Sequence, residues 1–183
     1  KHYIDRLYSM NLNQPLNISI KGEAAPYIKY PGDKLWSGIS LQMMSIGYEV
    51  KLTPLQILTF YNAIANNGKM VKPRFVHSIR RHGQTEQTFR TEVINPSICS
   101  KRTLRDVREV LEGVVENGTA KNLRNSNYKI AGKTGTAQIA RGVSGYRGDS
   151  GVSHQASFVG YFPAEDPKFS CIVVVNSPSR NVY

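Results

Sequence analysis

The chain has 183 residues, 40% of them hydrophobic and 20% charged, which is enough apolar material to bury one ordinary core. Lys and Arg outnumber Asp and Glu by 24 to 13, giving a formal charge of +11. The basic residues run from Lys1 to Arg180 instead of concentrating on one element interleaved with aromatics, which argues for a solvated basic surface and against nucleic-acid binding. No apolar run approaches the roughly 20 residues that cross a bilayer; the best stretch, Cys171 to Val175, has the length of a buried strand.

The opening Lys1-His2-Tyr3-Ile4-Asp5-Arg6 carries neither an initiator Met nor a signal-peptide pattern, so residues upstream are expected to have been removed or omitted. Residues 11–50, with Pro15, Pro26 and Pro31, read as irregular. The first clear helix starts at Thr53-Pro54-Leu55-Gln56, with Thr as N-cap, Pro at the first helical position and Gln where a capping box needs it. Leu55, Leu58, Phe60, Tyr61, Ile64 and Ala65 then recur at helical spacing and should face the core, until Asn66-Asn67-Gly68 stops the helix. Residues 75–94 alternate apolar and polar types around His82-Gly83-Gln84, the pattern of a hairpin. From Ser100 to Asn117 the residues Leu104, Val107, Val110, Leu111, Val114 and Val115 form one stripe, predicting a second amphipathic helix.

Three strands follow at 128–139, 154–162 and 169–176, and short connections make an antiparallel meander of them. The glycine-rich run 141–153 reads as a long loop between two of these strands, with Arg141, Arg147 and Asp149 as residues that could reach a neighbouring site. Cys99 and Cys171 show no metal-ligand spacing and read as small core residues. His2, His77, His82 and His154 are scattered without paired spacing, and Trp36 and the tyrosines are dispersed, so packing and exposed roles are assigned to them.

The chemistry lies in Ala131-Gly132-Lys133-Thr134-Gly135-Thr136-Ala137-Gln138. A strand that carries a lysine, a hydroxyl, a glycine and a second hydroxyl offers a cation and two donors to one anion, and the glycine admits a ligand backbone. Period-2 geometry puts Thr134 and Thr136 on one face and Lys133 on the other, so the lysine needs a bend or its long stem to join them. A phosphate-binding loop ending in Gly132-Lys133-Thr134 would require glycine at position 127, where Asn127 stands.

Lys133-Thr134-Gly135-Thr136 followed by Ala137-Gln138 resembles the third active-site motif of penicillin-binding proteins and serine β-lactamases. Ser45-Ile46-Gly47-Tyr48, Tyr61 to Gly68, Val114 to Ala120 and Ala156 to Pro163 resemble the same family in the same order, most nearly the class B, cell-division type. The resemblance implies an α+β, β-lactamase/transpeptidase-like fold with an antiparallel sheet flanked by helices, the chain (1–183) being the C-terminal part of one transpeptidase domain.

The family's activity is serine acyl transfer on the D-Ala-D-Ala end of peptidoglycan stem peptides, and β-lactam antibiotics acylate the same serine. Carried over by position, Lys133 and Thr136 are catalytic, and Thr134, Gly135 and Thr136 bind the substrate carboxylate; no metal or organic cofactor is implied. The resemblance also implies a parent protein anchored at the extracytoplasmic face of the bacterial inner membrane, with divisome membrane proteins as partners. The family's Ser-x-x-Lys and Ser-x-Asn motifs are expected upstream of Lys1. Ser126-Asn127-Tyr128-Lys129 and Ser9-Met10-Asn11 match them literally but in unsuitable places.

Two departures accompany the resemblance. Glu49 stands where many relatives have Gly, and the chain stops at Tyr183 where a final packing helix is expected, which should leave apolar sheet surface or an unpaired edge exposed. Two rivals use the same residues: a β-lactamase or β-lactam sensor of the same fold, and a non-catalytic binding module that retains the fold.

Overall fold

The computed structural model describes residues 2–139 and 152–179. The chain divides into two compact units, Lys1–Ser100 and Lys101–Tyr183.

The first unit opens with a helix that the sequence pattern did not reveal, α1 (His2–Ser9). Ile4, Leu7 and Tyr8 share one face, but eight residues are too few for periodicity to stand out, and only Ile4 is fully buried. The stretch expected to be irregular holds β1 (Tyr27–Ile28), α2 (Ser40–Ser45) and β2 (Val50–Lys51), with β1 and β2 paired antiparallel. Side chains replace regular structure between them. Both carboxylate oxygens of Glu23 accept backbone N–H groups, from Leu16 at 2.6 Å and Ile18 at 3.2 Å. The Asp33 carboxylate accepts from the Tyr27 hydroxyl at 2.7 Å and the Leu35 N–H at 2.9 Å. Glu49 sits at φ +58°, a conformation that costs glycine nothing, which explains why glycine suits this position. Its carboxylate lies 2.9 Å from the Lys29 ammonium as an ion pair.

Helix α3 (Pro54–Ala65) begins as the sequence predicts, with both halves of the capping box formed. The Thr53 hydroxyl accepts from the Gln56 N–H at 3.2 Å, and the Thr53 N–H donates to the Gln56 side chain at 2.8 Å. The buried face differs from the expected one, because Gln56, Thr59, Ala63 and Ile64 are buried while Leu55, Leu58, Phe60 and Tyr61 are half-buried. The two polar residues can bury because each is satisfied locally, Gln56 in the cap and Thr59 by donating to the Leu55 carbonyl at 2.8 Å. The strand that α3 packs on is β3 (Met70–Val71).

The predicted hairpin is shorter than its pattern. It consists of β4 (Ser78–Arg81) and β5 (Gln84–Thr88), joined by His82 at φ +48° and Gly83 at φ +80°, a two-residue turn whose positive φ values match strand twist. The residues expected to continue the second strand form β6 (Val93–Asn95), which pairs with β3 instead. The buried Asn95 amide holds it there, donating to the Ser9 carbonyl at 2.9 Å and to Asn11 at 2.8 Å.

The second unit begins with α4 (Lys101–Glu116), which buries Leu104, Leu111 and Val115; each such side chain contributes about 1.5–3 kcal/mol when fully buried. Val110, counted on the apolar stripe, is 67% exposed, so the buried face is narrower than the pattern. A 3₁₀ turn at Lys121–Leu123 leads to a three-stranded antiparallel meander, β7 (Ala131–Gln138), β8 (His154–Phe162) and β9 (Phe169–Asn176), as predicted. Strand β7 starts at Ala131 and not at Tyr128; the Tyr128 ring instead stacks on Phe162, with centroids 5.8 Å apart. α4 packs on β7, and Ala131, Val159 and Tyr161 close the core of this unit.

Strand β9 leaves Phe169, Cys171, Val173 and Val175 exposed along one face, the apolar sheet surface that the sequence anticipated. Cys171 is therefore not a core residue, and Cys99 is only half-buried. The loop assigned to 141–153, with Arg141, Arg147 and Asp149, falls largely outside the described residues. Among the described residues no helix is long and apolar enough to cross a membrane.

Candidate active site

Strand β7 is the edge of its sheet, and its register with β8 is continuous from Ala131↔Tyr161 to Gln138↔His154. Glycines make the pairing this close. A Cβ on Gly132 would lie 2.4 Å from the Phe158 ring and 2.6 Å from the Val159 carbonyl, and one on Gly135 would lie 2.7 Å from the Ser157 hydroxyl. A side chain at Gly132 would push the motif strand away from its neighbour, whereas one at Gly135 would first displace the Ser157 hydroxyl.

The direction of the backbone groups follows from two hydrogen bonds. The Ile139 N–H donates to the Ser153 carbonyl at 2.9 Å, extending the β7–β8 ladder and assigning the odd-numbered residues of β7 to β8. The Lys133 ammonium donates to the Thr134 carbonyl at 2.7 Å, so that carbonyl is open to a side chain from outside the sheet. Alternation then turns the backbone N–H and C=O groups of Thr134 and Thr136 to the free edge. The long stem of Lys133 is what resolves the conflict of faces noted in the sequence, because the strand runs through Gly135 without a shift in register.

Side chains complete the edge. Thr136 and Lys133 are exposed, while Thr134 is half-buried with its hydroxyl 2.7 Å from that of Thr119. Thr119 lies within the run Val114 to Ala120, and nothing in its sequence position signals this contact. It reaches the strand because the chain folds back directly after α4, where the Ala120 N–H donates to the Val114 carbonyl at 3.1 Å. A Cβ on Gly118 would come within 2.8 Å of that same carbonyl, so glycine there is the local signal for the close return. A hydroxyl accepts through lone pairs and donates one proton; with Thr119 donating, the Thr134 proton is left for an anion. Thr134 and Thr136 thus turn their backbone groups to one strand edge that the Lys133 ammonium also reaches, with Thr119 beside it, while Gly135 between them pairs with β8.

The literal matches to the missing motifs have structural roles. Ser126 lies in a bend ahead of β7 and Lys129 pairs with Glu112, while the Ser9 hydroxyl donates to the Arg6 carbonyl at 2.8 Å at the end of α1.

Residues 3–182 match the penicillin binding protein transpeptidase domain family. The chain belongs to this family. It is similar to penicillin-binding protein PbpB of Mycolicibacterium smegmatis, 30% identical over 188 residues covering 98% of this chain and 28% of that protein. A probable peptidoglycan D,D-transpeptidase, PbpC of Pseudomonas aeruginosa, is 31% identical over 185 residues, covering 100% of this chain and 30% of that protein. Crystallographic penicillin-binding protein 3 of Mycobacterium tuberculosis, complexed with aztreonam, superposes with a TM-score of 0.84 at 29% identity, covering 98% of this chain and 41% of that one. The chain therefore has the mixed α+β transpeptidase fold of the class B, FtsI/PBP3-like group and spans less than a third of the length of these two curated relatives.

Proposed function

We propose that the protein containing this chain is a penicillin-binding D,D-transpeptidase of peptidoglycan synthesis, with β7 as its carboxylate-binding and oxyanion strand. A serine supplied from upstream of Lys1 attacks the carbonyl of the D-Ala-D-Ala bond. The terminal D-Ala leaves, and the acyl group passes from the serine to the amine of a second stem peptide. The hydroxyls of Thr134 and Thr136 hold the terminal carboxylate of the substrate, or the acid group of a β-lactam. Lys133 adds positive charge beside them and influences where the protons of the catalytic groups reside. The Thr136 N–H is one of two donors to the tetrahedral oxyanion, a contribution of about 3 kcal/mol when one such donor is lost.

The observation that carries this reading is the edge itself. Two threonines direct backbone groups away from β8, and the lysine wraps the same edge at 2.7 Å from the Thr134 carbonyl. An edge strand that presents amides, hydroxyls and a cation in one row suits a peptide's terminal carboxylate and the carbonyl next to it. On this reading the whole protein works at the extracytoplasmic face of the inner membrane, anchored there among divisome membrane proteins, with stem peptides and β-lactams as ligands.

The isolated chain supplies the strand and no nucleophile, so it is inactive on its own. Incubation with fluorescent penicillin followed by denaturing electrophoresis tests this. The 183-residue chain should carry no label, and the full-length protein should carry it on a serine upstream. A denaturation-resistant adduct on the isolated chain would refute the assignment.

A further inference from the structure

Below the hairpin of the first unit, the two chain segments that lead into and out of it part and, with Asn17 and Ser19, border an open cavity of about 300 Å³. They are joined at the hairpin base, where the Phe89 N–H donates to the His77 carbonyl at 2.9 Å, and again where the Lys72 N–H donates to the Glu92 carbonyl at 2.9 Å. Between these bonds one segment has more residues than the other and contains Pro73, which has no N–H for a ladder, so the segments bow apart.

The lining joins apolar and cationic groups. Phe75 is 52% and Val76 46% exposed, a combination that leaves apolar surface in water beside the opening. Lys72 is neutralised by Glu92 at 3.4 Å. Among the described residues Arg74 donates to the uncharged Phe89 carbonyl and neither Arg74 nor Arg90 has a carboxylate partner, so two positive charges are uncompensated there. From Lys72 to Glu92 the chain holds five Lys or Arg against two Glu. Among the described residues the hairpin above is a two-stranded sheet with both edges unpaired, and every β5 side chain is exposed.

We propose that this recess is a docking site for an acidic, extended segment of a partner protein, which inserts one apolar side chain against Phe75 and Val76. The carboxylates on either side of that anchor pair with Arg74 and Arg90. Concavity favours this partner over a lipid surface, because the apolar groups border a recess sized for a side chain and do not project as a convex patch. The recess shares no residue with β7, and the proposal stands whether or not the transpeptidase reading does.

Fluorescence anisotropy on the chain tests it, with a fluorescein-labelled synthetic peptide carrying a single Phe flanked on both sides by Glu. The R74E/R90E variant should bind at least about tenfold more weakly than the wild type. R102E/R105E, which removes the same charge from exposed positions on α4, should bind within about twofold of it. R90E alone, at an exposed side chain, should already weaken binding, and replacing the peptide's Phe with Ser should do the same. Equal weakening by the two double variants would reduce the effect to overall charge and overturn the proposal. Co-sedimentation with phosphatidylglycerol vesicles that depends on Arg74 and Arg90 and is not competed by the peptide would overturn it in favour of a membrane.

Discussion

Two glycine-to-alanine substitutions in the second unit should move stability in opposite directions. At Gly132 the added methyl would sit 2.4 Å from the Phe158 ring and 2.6 Å from the Val159 carbonyl. The ring could turn, but the carbonyl belongs to the paired strand and can yield only if β7 and β8 separate. Overpacking of this kind costs about 1–3 kcal/mol, and a backbone obstacle argues for the upper end. At Gly113, within α4, an added methyl meets nothing within 4 Å. There alanine should gain about 0.5–1 kcal/mol from helix propensity and reduced unfolded-state entropy. For a chain of this size each kcal/mol is roughly 2–4 °C in Tm, so G132A should melt about 6–12 °C below the wild type and G113A about 1–4 °C above it. Differential scanning fluorimetry, with calorimetry as a check, reads both. An unchanged Tm for G132A would refute the close β7–β8 packing on which the site geometry rests.

Other outcomes follow from individual contacts. T53A removes one half of the α3 capping box and should cost about 1 kcal/mol in urea unfolding. The Leu35 N–H, and then the Tyr27 hydroxyl, hold the Asp33 carboxyl below its ordinary value of 3.8. Its folded value lies below its unfolded one, so Asp33 stabilises the fold above about pH 4 and that contribution is lost as the pH falls through the lowered folded value. D33N should be less stable near neutrality and show a flatter acid limb in a pH series of unfolding curves. In the full-length protein T119V should slow acylation by benzylpenicillin about fivefold, the equivalent of roughly 1 kcal/mol, by leaving the Thr134 hydroxyl without its partner. T119S should restore most of the rate.

Much of the fold was legible where local chemistry decides the structure. Thr53-Pro54-Leu55-Gln56 announces a capped helix because the cap satisfies its donors within four residues, and 154–162 and 169–176 read as strands to the residue. Long-range contacts defeated the pattern elsewhere. Residues 93–95 alternate like a hairpin strand, yet a buried amide 84 positions away from its Asn11 partner assigns them to β3. The segment before residue 50 is held by Glu23 and Asp33 binding nearby backbone, and such contacts leave no periodic trace. The motif strand was legible as residues but not as geometry. Which backbone groups face the free edge depends on the β8 register, and the part played by Thr119 depends on a turn that Gly118 permits.

In the proposed mechanism β7 grips a ligand's carboxylate with threonine hydroxyls beside a serine from elsewhere in the protein. The second-order rate constant for acylation of the full-length protein by benzylpenicillin, compared between the wild type and T134V/T136V, tests it most directly. Loss of two charge-assisted hydrogen bonds should lower that rate about 10²-fold or more while Tm shifts by only a few degrees. An unaltered rate constant in a folded double variant would contradict it.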